Sequence, residues 1–112
     1  MEPFTENVVK IIKGIPEGKV MTYGQIATLA GNRRAARQVA RVLHILSEKC
    51  KLPWFRVINS KGQISINDYE SHNLQKLFLE SEGIKFSKND TINLNEYQFH
   101  RCNNFCESDF KL

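Results

Sequence analysis

The sequence is short of the features that mark several classes of protein. Its three cysteines, Cys50, Cys102 and Cys106, are an odd number, which argues against the disulfide framework that staples small secreted domains and favours a reducing compartment. No apolar stretch approaches the roughly 20 residues of a membrane helix, so no membrane span is expected. The opening residues Met1-Glu2-Pro3-Phe4 offer neither the basic nor the apolar region of a secretory signal. The expectation is a chain that is not exported, cytoplasmic in a prokaryote or nuclear in a eukaryote. Internal repeats and low-complexity blocks are also missing, and no acidic residue lies between Arg33 and Leu46.

What is present is globular. The 112 residues are 41% hydrophobic and 25% charged, which excludes the low-hydrophobicity, high-charge composition of a disordered chain. One domain over residues 1–99 is expected, followed by a C-terminal tail, 100–112, that loses periodicity. Charge divides unevenly. Residues 1–62 carry eleven Lys and Arg against four acids, and residues 63–112 carry five against eight, giving +7 and −3. A positive half of that size points to a polyanion, with nucleic acid first among them.

Local patterns place the elements. Pro3 to Gly14 has Phe4, Val8, Ile11 and Ile12 at helical spacing, with Pro at its start and Gly at its end, so it reads as an amphipathic helix. After a turn at 16–19 comes a short extended piece, Lys19-Val20-Met21. Thr22 and Gln25 then form a capping box for a helix carrying Ile26, Leu29 and Ala30, which Gly31 ends. Asn32 is expected to cap a third helix over about 33–46. There Arg33, Arg37, Arg41 and His44 fall within about 80° of one another, beside Arg34 and Gln38 and opposite Ala36, Val39, Ala40 and Leu43. Two helices joined by a tight glycine turn, the second with an arginine face, have the form of a helix-turn-helix.

Beyond Pro53 the period changes. Phe55 to Ile58 and Gln63 to Ile66 are β-favouring runs separated by Asn59-Ser60-Lys61-Gly62, the chemistry of a hairpin turn. Asn67-Asp68 caps a further helix, ending at Gly83, whose predicted buried face is Leu74, Leu77 and Phe78. A second small hairpin is expected from 84–86 and 92–94 around the turn 87–90. The fold class is mainly α with a small β-hairpin: a winged-helix-like DNA-binding domain containing a helix-turn-helix.

The run Pro53-Trp54-Phe55-Arg56-Val57 resembles the active-site motif of the O6-alkylguanine-DNA alkyltransferases, which read Pro-Cys-His-Arg-Val there. It resembles more closely the alkyltransferase-like proteins, in which Trp replaces the nucleophilic Cys. Supporting matches run through Gly18 to Ala27, Gly31-Asn32, Ala35 to Val39, Asn59 to Ser65 and Glu82-Gly83, so the resemblance covers residues 4 to 99 in order. It implies minor-groove docking and rotation of a damaged nucleotide out of the stack, because the O6 edge of a paired guanine is out of reach. On this resemblance Tyr23 crowds the phosphate and Arg37 fills the vacated stack. A pocket is implied from Tyr23, Pro53, Trp54, Val57 and the loop Ser65 to Tyr69, which holds Asn67, Asp68 and Tyr69, and DNA-backbone contacts from Thr22, Arg33, Arg34, Gln38 and Arg41. Passage of the bound lesion to nucleotide excision repair proteins is implied as well.

Alkyl transfer needs a thiolate and a neighbouring base. Positions 54 and 55 hold indole and phenyl instead, so no catalytic residue is expected. Phe55 also departs from the alkyltransferase-like pattern, which usually keeps His, and Asn67 stands where related proteins often have an arginine able to stack on the flipped base. Cys50, flanked by Lys49 and Lys51, lies four residues from the position the alkyl group would occupy. His100, Cys102 and Cys106 give three ligands where structural zinc wants four. No cofactor or metal is expected, and the partner is double-stranded DNA containing alkylated guanine, bound by a monomer. Two other readings stay open from sequence: a residual alkyltransferase or hydrolase, and a generic helix-turn-helix regulator in which Tyr23 and Trp54 are core.

Overall fold

A computed structural model describes residues 2–100. The expected tail, with Arg101, Cys102 and Cys106, therefore lies outside the described residues apart from His100. The elements run α1 (Pro3–Lys13), β1 (Met21–Thr22), α2 (Tyr23–Leu29), α3 (Ala36–Leu46), a 3-10 turn (Trp54–Arg56), β2 (Val57–Ile58), α4 (Tyr69–Ser81) and α5 (Leu94–Tyr97). Among the described residues no helix is long and apolar enough to cross a membrane.

The first three helices pack on one another because each buries one stripe. Val8 and Ile12 of α1, Ile26 and Ala27 of α2 and Val39 of α3 are fully enclosed in one cluster. A second cluster, Val20, Ile58, Leu79, Ile84, Ile92 and Tyr97, is closed by α4 and the short α5. The capping box at Thr22 forms as read: Gln25 N donates to Thr22 Oγ1, and Thr22 N donates to Gln25 Oε1. Gly31, at φ +111°, ends the α2 region as expected.

Four readings change. First, the predicted hairpin between 55–58 and 63–66 does not form. Val57 and Ile58 instead pair in parallel with Met21 and Thr22. Both β2 residues are buried, Val57 in the cluster of the first three helices and Ile58 in the second cluster, so neither face of the strand is left for solvent. The turn chemistry is realised without the strands: Asn59 Oδ1 accepts from Lys61 N and Gln63 N, and Gln63 bridges Thr91.

Second, the turn of the other predicted hairpin closes, with Ser87 N donating to Thr91 O. Its flanks form no named strand, and Leu94 starts α5, capped by Asn93 Oδ1. Third, α3 begins at Ala36 rather than near Arg33. Asn32 uses its Oδ1 on Arg34 N inside a turn, so the connection between α2 and α3 is longer than a tight glycine turn. Ala40, assigned to the buried side, is exposed.

Fourth, α4 is rotated relative to its apolar residues. Leu74, Leu77 and Phe78 are solvent-facing, while Gln75 and Leu79 are enclosed. Gln75 explains the choice: its amide nitrogen donates to Phe55 O and Val57 O, both at 3.0 Å. Those carbonyls sit where the chain leaves the 3-10 turn, and buried acceptors must find donors.

Gly62 has φ +77°, and a Cβ there would stand 2.6 Å from Ile92 O. Gly62→Ala is therefore expected to cost about 1–3 kcal/mol through backbone strain and displacement of the 91–92 segment. Urea titration checks it; a variant with an unchanged midpoint would show that the contact yields freely.

Candidate nucleic-acid interface

The site is assembled from α2, α3, the 3-10 turn and the start of α4. Thr22 caps α2 and so fixes the next residue, Tyr23, on its first turn. The Tyr23 ring packs partly on the main core, and its hydroxyl accepts from Ser65 Oγ at 3.5 Å, a long contact. Trp54 follows Pro53, opening the 3-10 turn that Gln75 clamps. Its indole is half-buried, edge-on to Phe55 and Phe78 at centroid distances of 6.0 and 6.3 Å. Those contacts fix the ring's tilt and leave part of it facing a cleft.

That cleft has a volume of about 530 Å³, within the range of small-molecule sites. Tyr23 and Trp54 line it together with Leu43, His44, Ile66 and Asp68, among others. Of the pocket residues implied by the resemblance, the structure thus brings together Tyr23, Trp54, Ser65, Ile66 and Asp68. Val57 is not among the lining: it is buried within β2. Pro53, Asn67 and Tyr69 adjoin lining residues in the chain without lining the cleft, and Tyr69 is 79% exposed. Ala40, Leu43, His44, Ser47 and Ser71 were not among the expected pocket residues. The helical spacing of 40, 44 and 47, one turn apart on one side of α3, was the signal that could have found three of them.

Arg37 borders this cleft along α3, whereas Gln38 and Arg41 line a separate hollow with Glu2, Phe4 and Thr5. Arg33 and Arg34 in the turn, and Arg37, Gln38 and Arg41 on α3, are all exposed. Arg37 precedes Ala40 by three residues and His44 by seven, so it stands on the cleft's flank one and two turns away. Thr22, expected at the DNA backbone, is buried, and its hydroxyl is committed to the α2 cap. The α3 N-terminus has no side-chain cap, leaving first-turn N–H groups beside the arginines.

Among the described residues no thiol lines the cleft. Cys50 is half-buried in the connection after α3 and packs against the main core. Phe55 packs on Phe78 at 5.0 Å, with the Arg56 guanidinium over its ring. Arg56 and Glu82 form an ion pair, and Arg56 Nε donates to Glu82 Oε1 and Oε2 at 3.0 and 3.2 Å. Arg56 Nη1 also donates to Ile15 O, and Gly18 N to Glu82 Oε1. Burial raises the Glu82 carboxyl, but these hydrogen bonds and the Arg56 charge outweigh it, and the net direction is below the ordinary glutamate value.

A mainly helical fold with an aromatic cleft beside an arginine-faced helix defines a nucleic-acid-reading class of domain. The chain belongs to the family described as 6-O-methylguanine DNA methyltransferase, DNA binding domain, which matches residues 3–84. It is 46% identical over 99 residues to a DNA base-flipping protein of Vibrio parahaemolyticus, covering 88% of this chain and 98% of that one. It is 38% identical over 104 residues to alkyltransferase-like protein 1 of Schizosaccharomyces pombe, covering 88% and 96%. The solved structure of S. pombe Atl1 in complex with damaged DNA containing O6-carboxymethylguanine superposes with a TM-score of 0.78, at 38% identity, over 89% of this chain and 97% of that one.

Proposed function

We propose that this protein is a non-enzymatic sensor of O6-alkylguanine lesions in duplex DNA. It docks α3 in the minor groove, rotates the damaged nucleotide into the Trp54 cleft and holds it there. The observation that carries this reading is an aromatic-walled cleft lined by one side of α3, with the exposed Arg37 one turn before Ala40 and two before His44 on that helix. Cations anchor the phosphates, and the first-turn N–H groups of α3 add donors for them. The apolar wall accepts the extruded purine. On this reading Tyr23 crowds the rotating phosphate and Arg37 fills the vacated stack.

With indole at position 54 and phenyl at 55, there is no nucleophile-and-base pair to accept an alkyl group. A lesion that is held but not repaired has to be handed on, and the monomeric complex would present it to nucleotide excision repair proteins. The two relatives named for base flipping and for alkyltransferase likeness support the same reading.

Fluorescence anisotropy with an O6-methylguanine duplex and its undamaged counterpart tests it. The protein should prefer the lesion, and Arg41→Ala should weaken binding to both duplexes, flattening the slope of log affinity against log salt by about one unit. Equal affinity for the two duplexes would reject the sensor, and an unchanged salt slope would reject the docking face.

A further inference from the structure

Among the described residues, those lining the cleft include no lysine or arginine. Their one carboxylate is Asp68 and their one basic group is the His44 imidazole; the rest are aliphatic, aromatic or hydroxyl-bearing. The free N–H groups of a helix N-terminus would ordinarily attract an anion. At α4 the carboxylate of Asp68 already sits there, its Oδ2 accepting from Ser71 N at 2.9 Å. Ser71 hydrogen bonds hold the Asp68 carboxyl below the ordinary aspartate value, so it is ionised at neutral pH. The neighbouring acid, Glu70, adds to the negative end. The arginines stand outside the cleft, on the flank of α3.

We propose that Asp68 is a specificity-determining residue that makes the cleft select by adduct charge, favouring neutral and cationic O6 substituents and disfavouring anionic ones. The inference rests on the lesion-binding reading above and names its substrate class. Asp68 discriminates because an anionic adduct lodged beside Trp54 meets a fixed carboxylate with no cation in the wall to offset it. A neutral alkyl group loses nothing to that charge, and an ammonium-bearing one gains. The site is solvent-accessible, so screening keeps the effect moderate.

The experiment uses the full chain and three duplexes identical but for the adduct: O6-methylguanine, O6-carboxymethylguanine and O6-(2-aminoethyl)guanine. Anisotropy titrations at low salt should give the carboxymethyl duplex roughly three- to fivefold weaker binding than the methyl duplex, the scale of an exposed charge pair. The aminoethyl duplex should bind at least as tightly as the methyl one. Asp68→Asn removes the charge but keeps an efficient helix cap, and it should bring the methyl and carboxymethyl affinities within about twofold of each other. A wild-type protein that binds carboxymethyl as tightly as methyl, or a ratio that survives Asp68→Asn, overturns the charge selection while lesion binding stands. No preference for any adduct over undamaged DNA removes both readings together.

Discussion

Glu82→Ala is expected to destabilise the fold by about 3 kcal/mol, with a comparable loss for Arg56→Ala, because either change leaves the partner's buried charge without its ion pair. Three chain segments meet at this pair. Glu82 closes the C-terminal end of α4, Gly18 precedes β1, and Arg56 ends the 3-10 turn while also holding Ile15 O. The side chains of Arg56 and Glu82 are 16% and 10% exposed, so water cannot replace the lost partner fully. Thermal melts of wild type, Glu82→Ala, Arg56→Ala and the double variant would measure it. Additive losses would show that the two groups do not act as a pair.

A pH dependence follows from the same pair. The folded-state carboxyl of Glu82 titrates below the unfolded one, so its stabilisation is complete above the ordinary glutamate value. It fades as pH falls through the folded value. Acid should therefore narrow the difference in stability between wild type and Glu82→Ala. A difference that stays constant into the acid range would mean that the ionised form is not what the fold uses.

Trp54→Ala is expected to weaken binding to an O6-methylguanine duplex by about 1–3 kcal/mol, the range for losing one base–aromatic contact. Binding to undamaged DNA should change little, since encounter is carried by the arginines outside the cleft. Trp54 also packs on Phe55 and Phe78, so a thermal melt of the variant is needed beside the titration to separate folding from binding. Parallel losses for damaged and undamaged duplexes would make Trp54 a core residue and no more.

The same position tests the absence of chemistry. Trp54→Cys should accept no label from a radiolabelled O6-methylguanine duplex. Its neighbour Phe55 is engaged by Phe78 and the Arg56 guanidinium and offers no proton acceptor. Trp54→Cys with Phe55→His has the better prospect, because it restores a base next to the thiol. Stable label on the wild-type chain would overturn the non-enzymatic reading and direct mapping to Cys50, Cys102 or Cys106.

The local signals in the sequence determined what depends on neighbours a few residues apart. The Thr22 capping box, the Asp68 cap, the end of α2 at Gly31 and the stripe of α1 follow from hydrogen bonds and side-chain spacing within one or two turns, and each is realised, while the α3 stripe is realised at Val39 and Leu43 but not at Ala40. The arginine face was legible for the same reason, as was the run around Trp54 that carried the family resemblance. Tertiary structure decided what the pattern leaves degenerate. Two β-favouring runs with a good turn between them suit a hairpin, yet Val57 and Ile58 pair with Met21 and Thr22, because a strand buried on both sides gains more between helices than at an exposed edge. The α4 stripe of Leu74, Leu77 and Phe78 has helical periodicity, yet the helix turns Gln75 inward, because two buried carbonyls 20 and 18 residues away need its amide. Burial of an apolar stripe can be read from spacing, whereas the demand of a distant backbone acceptor exists only once the chain has folded around it.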